Sequence, residues 1–111
     1  MSVEVIDNEK DVERHLRERV KALGGIYRKV VYQGRKGSPD DWCFFPGGQL
    51  VIVECKGPNG RVDRQQAVEH EELGAKGFKV HVVYSRAEVD QMLVAVGLVD
   101  NSTACEGSEQ D

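Results

Sequence analysis

Residues 37–58 read GSPDDWCFFPGGQLVIVECKGP, and this stretch decides how the chain folds. Gly37-Ser38-Pro39 is a turn, Trp42 to Phe45 is a short apolar run, and Pro46-Gly47-Gly48 is a tight reversal. Leu50 to Glu54 is therefore expected to return antiparallel to Trp42–Phe45. Leu50-Val51-Ile52-Val53 is unbroken apolar sequence, the signature of a strand buried on both faces. The loop Gly57-Pro58-Asn59-Gly60 closes the unit. Such a hairpin sets Asp40, at the entry of one strand, beside Glu54, at the exit of the other. Strand side chains alternate, so Glu54 and Lys56 share a direction while Cys55 points opposite.

On the N-terminal side, Val12, Leu16, Val20 and Leu23 recur at helical spacing and Gly24-Gly25 stops that helix. Ile26 to Gln33 is β-branched and tyrosine-rich, a predicted strand ending near Gly34. On the C-terminal side, Asp63 with Gln66 forms a capping-box pattern that opens a second helix, ending around Gly74. Phe78 to Tyr84 reads as a strand. Ser85 with Glu88 repeats the capping box and opens a third helix with the stripe Val89, Met92, Leu93 and Val96. The order is α-β-β-β-α-β-α, an α/β domain with a mixed sheet flanked by helices. Residues 1–99 form the expected single domain, and 100–111, rich in Asn, Ser, Thr, Gly and acids, an acidic disordered tail.

Composition removes several classes. With 40% apolar and 31% charged residues the chain has a globular balance. Its longest mostly apolar stretch, Met92 to Val99, falls far short of the ~20 residues that span a bilayer. The acidic start (Glu4, Asp7, Glu9 against Lys10) does not suit a secretory leader, and Cys43, Cys55 and Cys105 form no CxxC pair. A cytoplasmic protein with reduced thiols is expected. The net charge of −4 argues weakly against a nucleic-acid partner, but its distribution argues for one. Residues 11–36 hold eight bases against three acids, a local balance of +5, which fits a chain touching phosphates with one region. Lys29, Arg35 and Lys36 are the candidate DNA contacts.

Asp40 taken singly is a turn residue, and Glu54 and Lys56 taken singly are the charged end of a strand. Together they say more. Two carboxylates held side by side repel, and a divalent cation is the usual relief. An ammonium beside that cation fits only if something negative arrives between them, as a scissile phosphate does. Mg²⁺ binds carboxylates and phosphate oxygens, and a lysine positions the attacking water or stabilises the developing charge.

Gly37-Ser38-Pro39-Asp40 followed by Glu54-Cys55-Lys56 resembles the signature of the PD-(D/E)XK nuclease superfamily. Val12-Glu13, Gly24-Gly25, Lys29, Gly34, Gly37, Arg61-Val62-Asp63 with Gln66, His70-Glu71-Glu72-Leu73 and Gly77 narrow the resemblance to its VRR-NUC (virus-type replication-repair nuclease) family, over roughly residues 9 to 95. The resemblance implies a restriction-endonuclease-like core with Asp40 and Glu54 as ligands of Mg²⁺ or Mn²⁺, the Cys55 backbone carbonyl as a further ligand, and Lys56 as the catalytic lysine. It also implies Glu13 as a helix-borne acid near the metal and Gln66 as an active-site residue. From spacing alone, Asp41 competes with Asp40, Gln65 competes with Gln66, and capping accounts for Gln66 equally well. His70 reads as a packed or hydrogen-bonded histidine.

Large DNA-binding regions accompany this core in related eukaryotic repair enzymes; the resemblance here is to the standalone phage and bacterial type, for which no such region is expected. The expected activity is a structure-specific endodeoxyribonuclease acting on branched DNA, a Holliday-junction resolvase working as a homodimer. The alternatives are a flap or duplex-end nuclease of the same fold, or a DNA-binding subunit with a vestigial site.

Overall fold

The computed structural model describes residues 7–100; of the tail expected over 100–111, all but Asp100, Cys105 included, lies outside the described residues. The elements are α1 (Glu9–Ala22), β1 (Ile26–Lys29), β2 (Asp41–Phe45), β3 (Gln49–Cys55), α2 (Arg64–Ala75), β4 (Val80–Val83) and α3 (Arg86–Ala95). This is the α-β-β-β-α-β-α order of the sequence pattern. The sheet runs β1-β2-β3-β4, with the first three strands antiparallel and β4 parallel to β3. A parallel pair needs a crossover, and α2 supplies it.

Each helix start has a chemical cause. Asn8 caps α1 by accepting from the Asp11 N–H at 2.9 Å, and its own N–H donates to the Asp11 carboxylate. Asp63 and Gln66 do the same for α2. At α3 only half of the expected box forms. The Ser85 hydroxyl accepts from the Glu88 N–H at 3.1 Å, while the Glu88 carboxylate takes the Tyr84 N–H at 2.8 Å. After α1 the chain turns through Gly24, at φ +81°, and passes Gly25 tightly against β2. A Cβ on Gly25 would stand 2.8 Å from the Phe45 ring, so only glycine lets the helix end dock on the strand.

The core lies between one sheet face and the helix pair α1 and α3. Val12, Leu16 and Val20 of α1 meet Val89, Met92 and Leu93 of α3 over Cys43, Val51, Val53 and Cys55. Leu16 and Leu93 are fully buried, and truncating either to alanine costs about 3 kcal/mol. The other face of β3 carries Glu54 toward α2, whose one buried residue is Glu69. Polar contacts rather than an apolar stripe attach this helix.

Two strand ends differ from the sequence pattern by more than one residue. β1 stops at Lys29 instead of reaching Gln33, after one more ladder bond from Val30 N–H to Asp40 O. Tyr32 leaves the sheet because its hydroxyl donates to Glu69 at 2.7 Å, and Arg35 follows it to the same carboxylate. β4 begins at Val80 rather than Phe78, because the Phe78 N–H is used to close α2 on Leu73 O.

Candidate active site

The register of the sheet assembles the charged residues. Asp41 pairs with Val53 across β2–β3, so one step beyond the paired residues Asp40 lies across from Glu54. Lys29 pairs directly with Asp41 across β1–β2. Alternation sends Asp41 to the same side as the buried Cys43 and Phe45, under α1, and sends Glu54 to the side of α2. The charged residues therefore form two lobes around one sheet end, with Asp40 between them.

In the α1 lobe, one carboxylate oxygen each from Glu13, Asp40 and Asp41 lies within 4.8 Å of the others. Lys29 Nζ donates to Glu13 Oε2 and to Asp40 Oδ2 (2.9 Å), and stands 3.6 Å from Asp41 Oδ1. The Tyr27 hydroxyl donates to the same Asp41 oxygen. Asp41 has no solvent exposure, and its other oxygen, Oδ2, receives no donor. Burial, then the neighbouring Glu13, pushes the Asp41 carboxyl well above the usual carboxylate range. Burial also raises Glu13, but hydrogen bonds with Asp41 and Lys29 outweigh it and leave Glu13 below its ordinary value. The pair thus favours one shared proton or a cation. Burial lowers the Lys29 ammonium, and Glu13 and Asp40 more than reverse that, so it stays firmly charged.

In the α2 lobe, Glu54 Oε2 accepts from Gln66 Nε2 at 3.2 Å and lies 3.8 Å from Lys56 Nζ. Lys56 in turn donates to Gln66 Oε1 at 3.0 Å. Gln66 therefore bridges the acid and the lysine while also completing the α2 cap. Glu54 Oε1 is buried without a donor, with His70 Nε2 3.8 Å away and likewise unpartnered. Burial, then repulsion from Asp40, lifts Glu54 to about 7. Burial also raises the thiol of Cys55, so the sulfur stays protonated at neutral pH.

The α1 lobe, with Glu13, Asp40 and Asp41 drawn together and Asp41 Oδ2 buried without a donor, fits a divalent cation, because an ionised carboxylate buried without a donor is costly. The orphaned Glu54 Oε1 lies in the other lobe, beside His70. The all-oxygen donor set suits Mg²⁺ or Mn²⁺ better than a thiolate metal. Tyr27 was not among the sequence-based candidates, and Asp41 entered only as the competitor of Asp40. The signal was there for Asp41: it shares the period-two face of Cys43 and Phe45, a buried face.

The candidate DNA contacts separate. Lys29 is committed to the acidic lobe, and Arg35 pairs with Glu69 at 2.8 Å and Glu72 at 3.2 Å. Lys36 lies with Arg35, Arg64 and Gln65 along a surface cleft beside the start of α2. A second cleft, past Lys56, is lined by Pro58, Gly60, Arg61 and Tyr84. Arg61 and Arg64 were not among the candidate DNA contacts because they lie outside the basic segment.

No family model matches the chain. A protein of Acyrthosiphon pisum secondary endosymbiont phage 1, named "Putative nuclease p44", is 39% identical over 88 residues, covering 79% of this chain and 94% of that protein. A solved structure described as a VRR_NUC domain superposes with a TM-score of 0.72 at 40% identity, covering 78% of this chain and 94% of that one. Among the described residues, no helix is long and apolar enough to cross a membrane.

Proposed function

The chain belongs to the VRR-NUC family, and from that premise we propose that it is a metal-dependent nuclease hydrolysing phosphodiester bonds in DNA. The observation that carries this reading is the acidic lobe of Glu13, Asp40 and Asp41, whose buried Asp41 Oδ2 lacks a donor, with Asp40 across the strand pair from Glu54 and the lysine beside it. Asp40, Glu54, Glu13 and the Cys55 carbonyl are the ligands in this reading, and Asp41 joins them on the α1 side. A bound Mg²⁺ or Mn²⁺ supplies charge neutralisation for the phosphate and lowers the pKa of a coordinated water.

The protein's own groups do the rest. Gln66 holds Lys56 and Glu54 in fixed relation, so the ammonium is oriented before substrate arrives. Lys56 then positions the attacking water and offsets charge on the scissile phosphate. Lys36, Arg61 and Arg64 are the phosphate contacts in this reading, since they make no ion pair among the described residues. Lys29 and Arg35 act inside the protein, holding the acidic lobe and α2.

The substrate we favour is a four-way DNA junction, cut by a homodimer. One such site breaks one bond, so symmetric cuts need two copies, most economically about a two-fold axis. Support for a self-complementary patch comes from β1, an edge strand where Ile26 pairs with Phe44 and both side chains are exposed. The apolar residues of α3 are used in the core instead. Labelled junction, flap and duplex substrates, incubated side by side with Mn²⁺, test the choice. Paired symmetric nicks on the junction are expected; cleavage confined to flaps or duplex ends would favour that alternative.

A further inference from the structure

We propose that Lys29 is a resident counter-ion that competes with a divalent metal for the carboxylates of Glu13, Asp40 and Asp41, and so sets how tightly the chain holds the metal. The proposal rests on the metal-dependent reading above. Its basis is that a single ammonium contacts all three members of the acidic lobe: hydrogen bonds to Glu13 and Asp40, the latter at 2.9 Å, and 3.6 Å to Asp41. The ladder delivers it there, because Lys29 and Asp41 are opposite one another in the β1–β2 register. The second basic group of the site is committed elsewhere, since Lys56 is bound by Gln66.

The lobe is not satisfied by this one charge. Asp41 Oδ2, with no exposure at all, still lacks a donor, so the trio can accept a further positive charge. An ammonium and a divalent ion on the same oxygens repel each other, and by linkage each weakens the other by the same factor. The two sides also differ in freedom. The Lys29 side chain is 47% exposed and can swing toward solvent, whereas Asp41 cannot follow it. Lys29 is therefore the member that yields.

Calorimetric titration of Mn²⁺ and Mg²⁺ into the full chain, at fixed near-neutral pH, compares wild type with Lys29→Met and Lys29→Arg. Lys29→Met should bind at least about fivefold more tightly, and Lys29→Arg should stay within about twofold of wild type. The ¹⁵N ammonium signal of Lys29 in the wild-type protein gives a readout that needs no variant. It should be protected from solvent exchange without metal and lose that protection as Mg²⁺ saturates. Equal or weaker binding by a folded Lys29→Met, or a Lys29 signal unmoved at Mg²⁺ saturation, overturns the proposal while leaving the metal reading standing. Binding of neither metal to wild type or Lys29→Met would overturn both.

Discussion

Asp41 is a carboxylate placed where a core residue would otherwise sit, and burial acts on it as on any isolated charge. The fold accepts it through the Tyr27 hydroxyl, the Lys29 ammonium and its link to Glu13, and one oxygen is still left over. Asp41→Asn should therefore stabilise the metal-free protein, since the amide keeps the Tyr27 contact and sheds the buried charge. Calorimetry should find a higher Tm, about 4–8 °C per kcal/mol gained, while Mn²⁺ affinity falls. Lys56→Ala should act oppositely on chemistry and metal: cleavage falls by roughly 10²-fold or more, and Mn²⁺ affinity changes little. Residue type and spacing singled out Asp40, Glu54 and Lys56 as candidates, and the strand register sets Asp40 across from Glu54 as the hairpin pattern implied. Asp41 was harder to see because Asp40 offers the same group one position earlier, and the two are told apart only by the period-two face that Asp41 shares with Cys43 and Phe45.

At the scale of the element, α2 is the part of the fold held mainly by polar contacts. Glu69 is its one buried residue, and Tyr32 and Arg35 reach it from the β1–β2 connection. Hydrogen bonding from Tyr32, then Arg35, lowers the Glu69 carboxyl. A group with a depressed folded pKa contributes fully above its unfolded value and loses that contribution as pH falls through the folded one. Amide protection of α2 should accordingly drop ahead of the α1–α3 core as pH falls below the ordinary glutamate range, and Glu69→Gln should remove that pH dependence in hydrogen exchange. Gly37 locks the same connection: at φ +91°, a Cβ there would lie 2.6 Å from the Gln65 carbonyl oxygen. Gly37→Ala should cost about 1–3 kcal/mol and displace Gln66, so cleavage suffers beyond the loss of stability. The two caps of α1 and α2 and the buried strand β3 follow local rules, and two of them were readable in advance. The early end of β1 was not, because it depends on Glu69, 37 positions from Tyr32.

At the scale of the molecule, charge asymmetry pointed to the segment 11–36 but did not tell which of its bases stay free of carboxylates. Two of the three expected contacts turn inward because carboxylates distant in sequence, Glu13 and Glu69 among them, meet Lys29 and Arg35 first. DNA affinity should fall with salt at a log–log slope of about −0.9 per phosphate contact. Alanine at Lys36, Arg61 or Arg64 should flatten that slope by about one contact each, whereas Arg35→Ala should act through stability instead. Light scattering should return about 25 kDa, twice the 12.4 kDa chain, and Ile26→Glu should reduce it to the monomer.

The most direct measurement is cleavage of an end-labelled junction by wild type and Glu54→Gln, each assayed with Mg²⁺, with Mn²⁺ and with excess chelator. The account predicts products only from wild type with a metal present, with Glu54→Gln folded and inactive. Full-rate cutting in chelator, or undiminished cutting by Glu54→Gln, would contradict it.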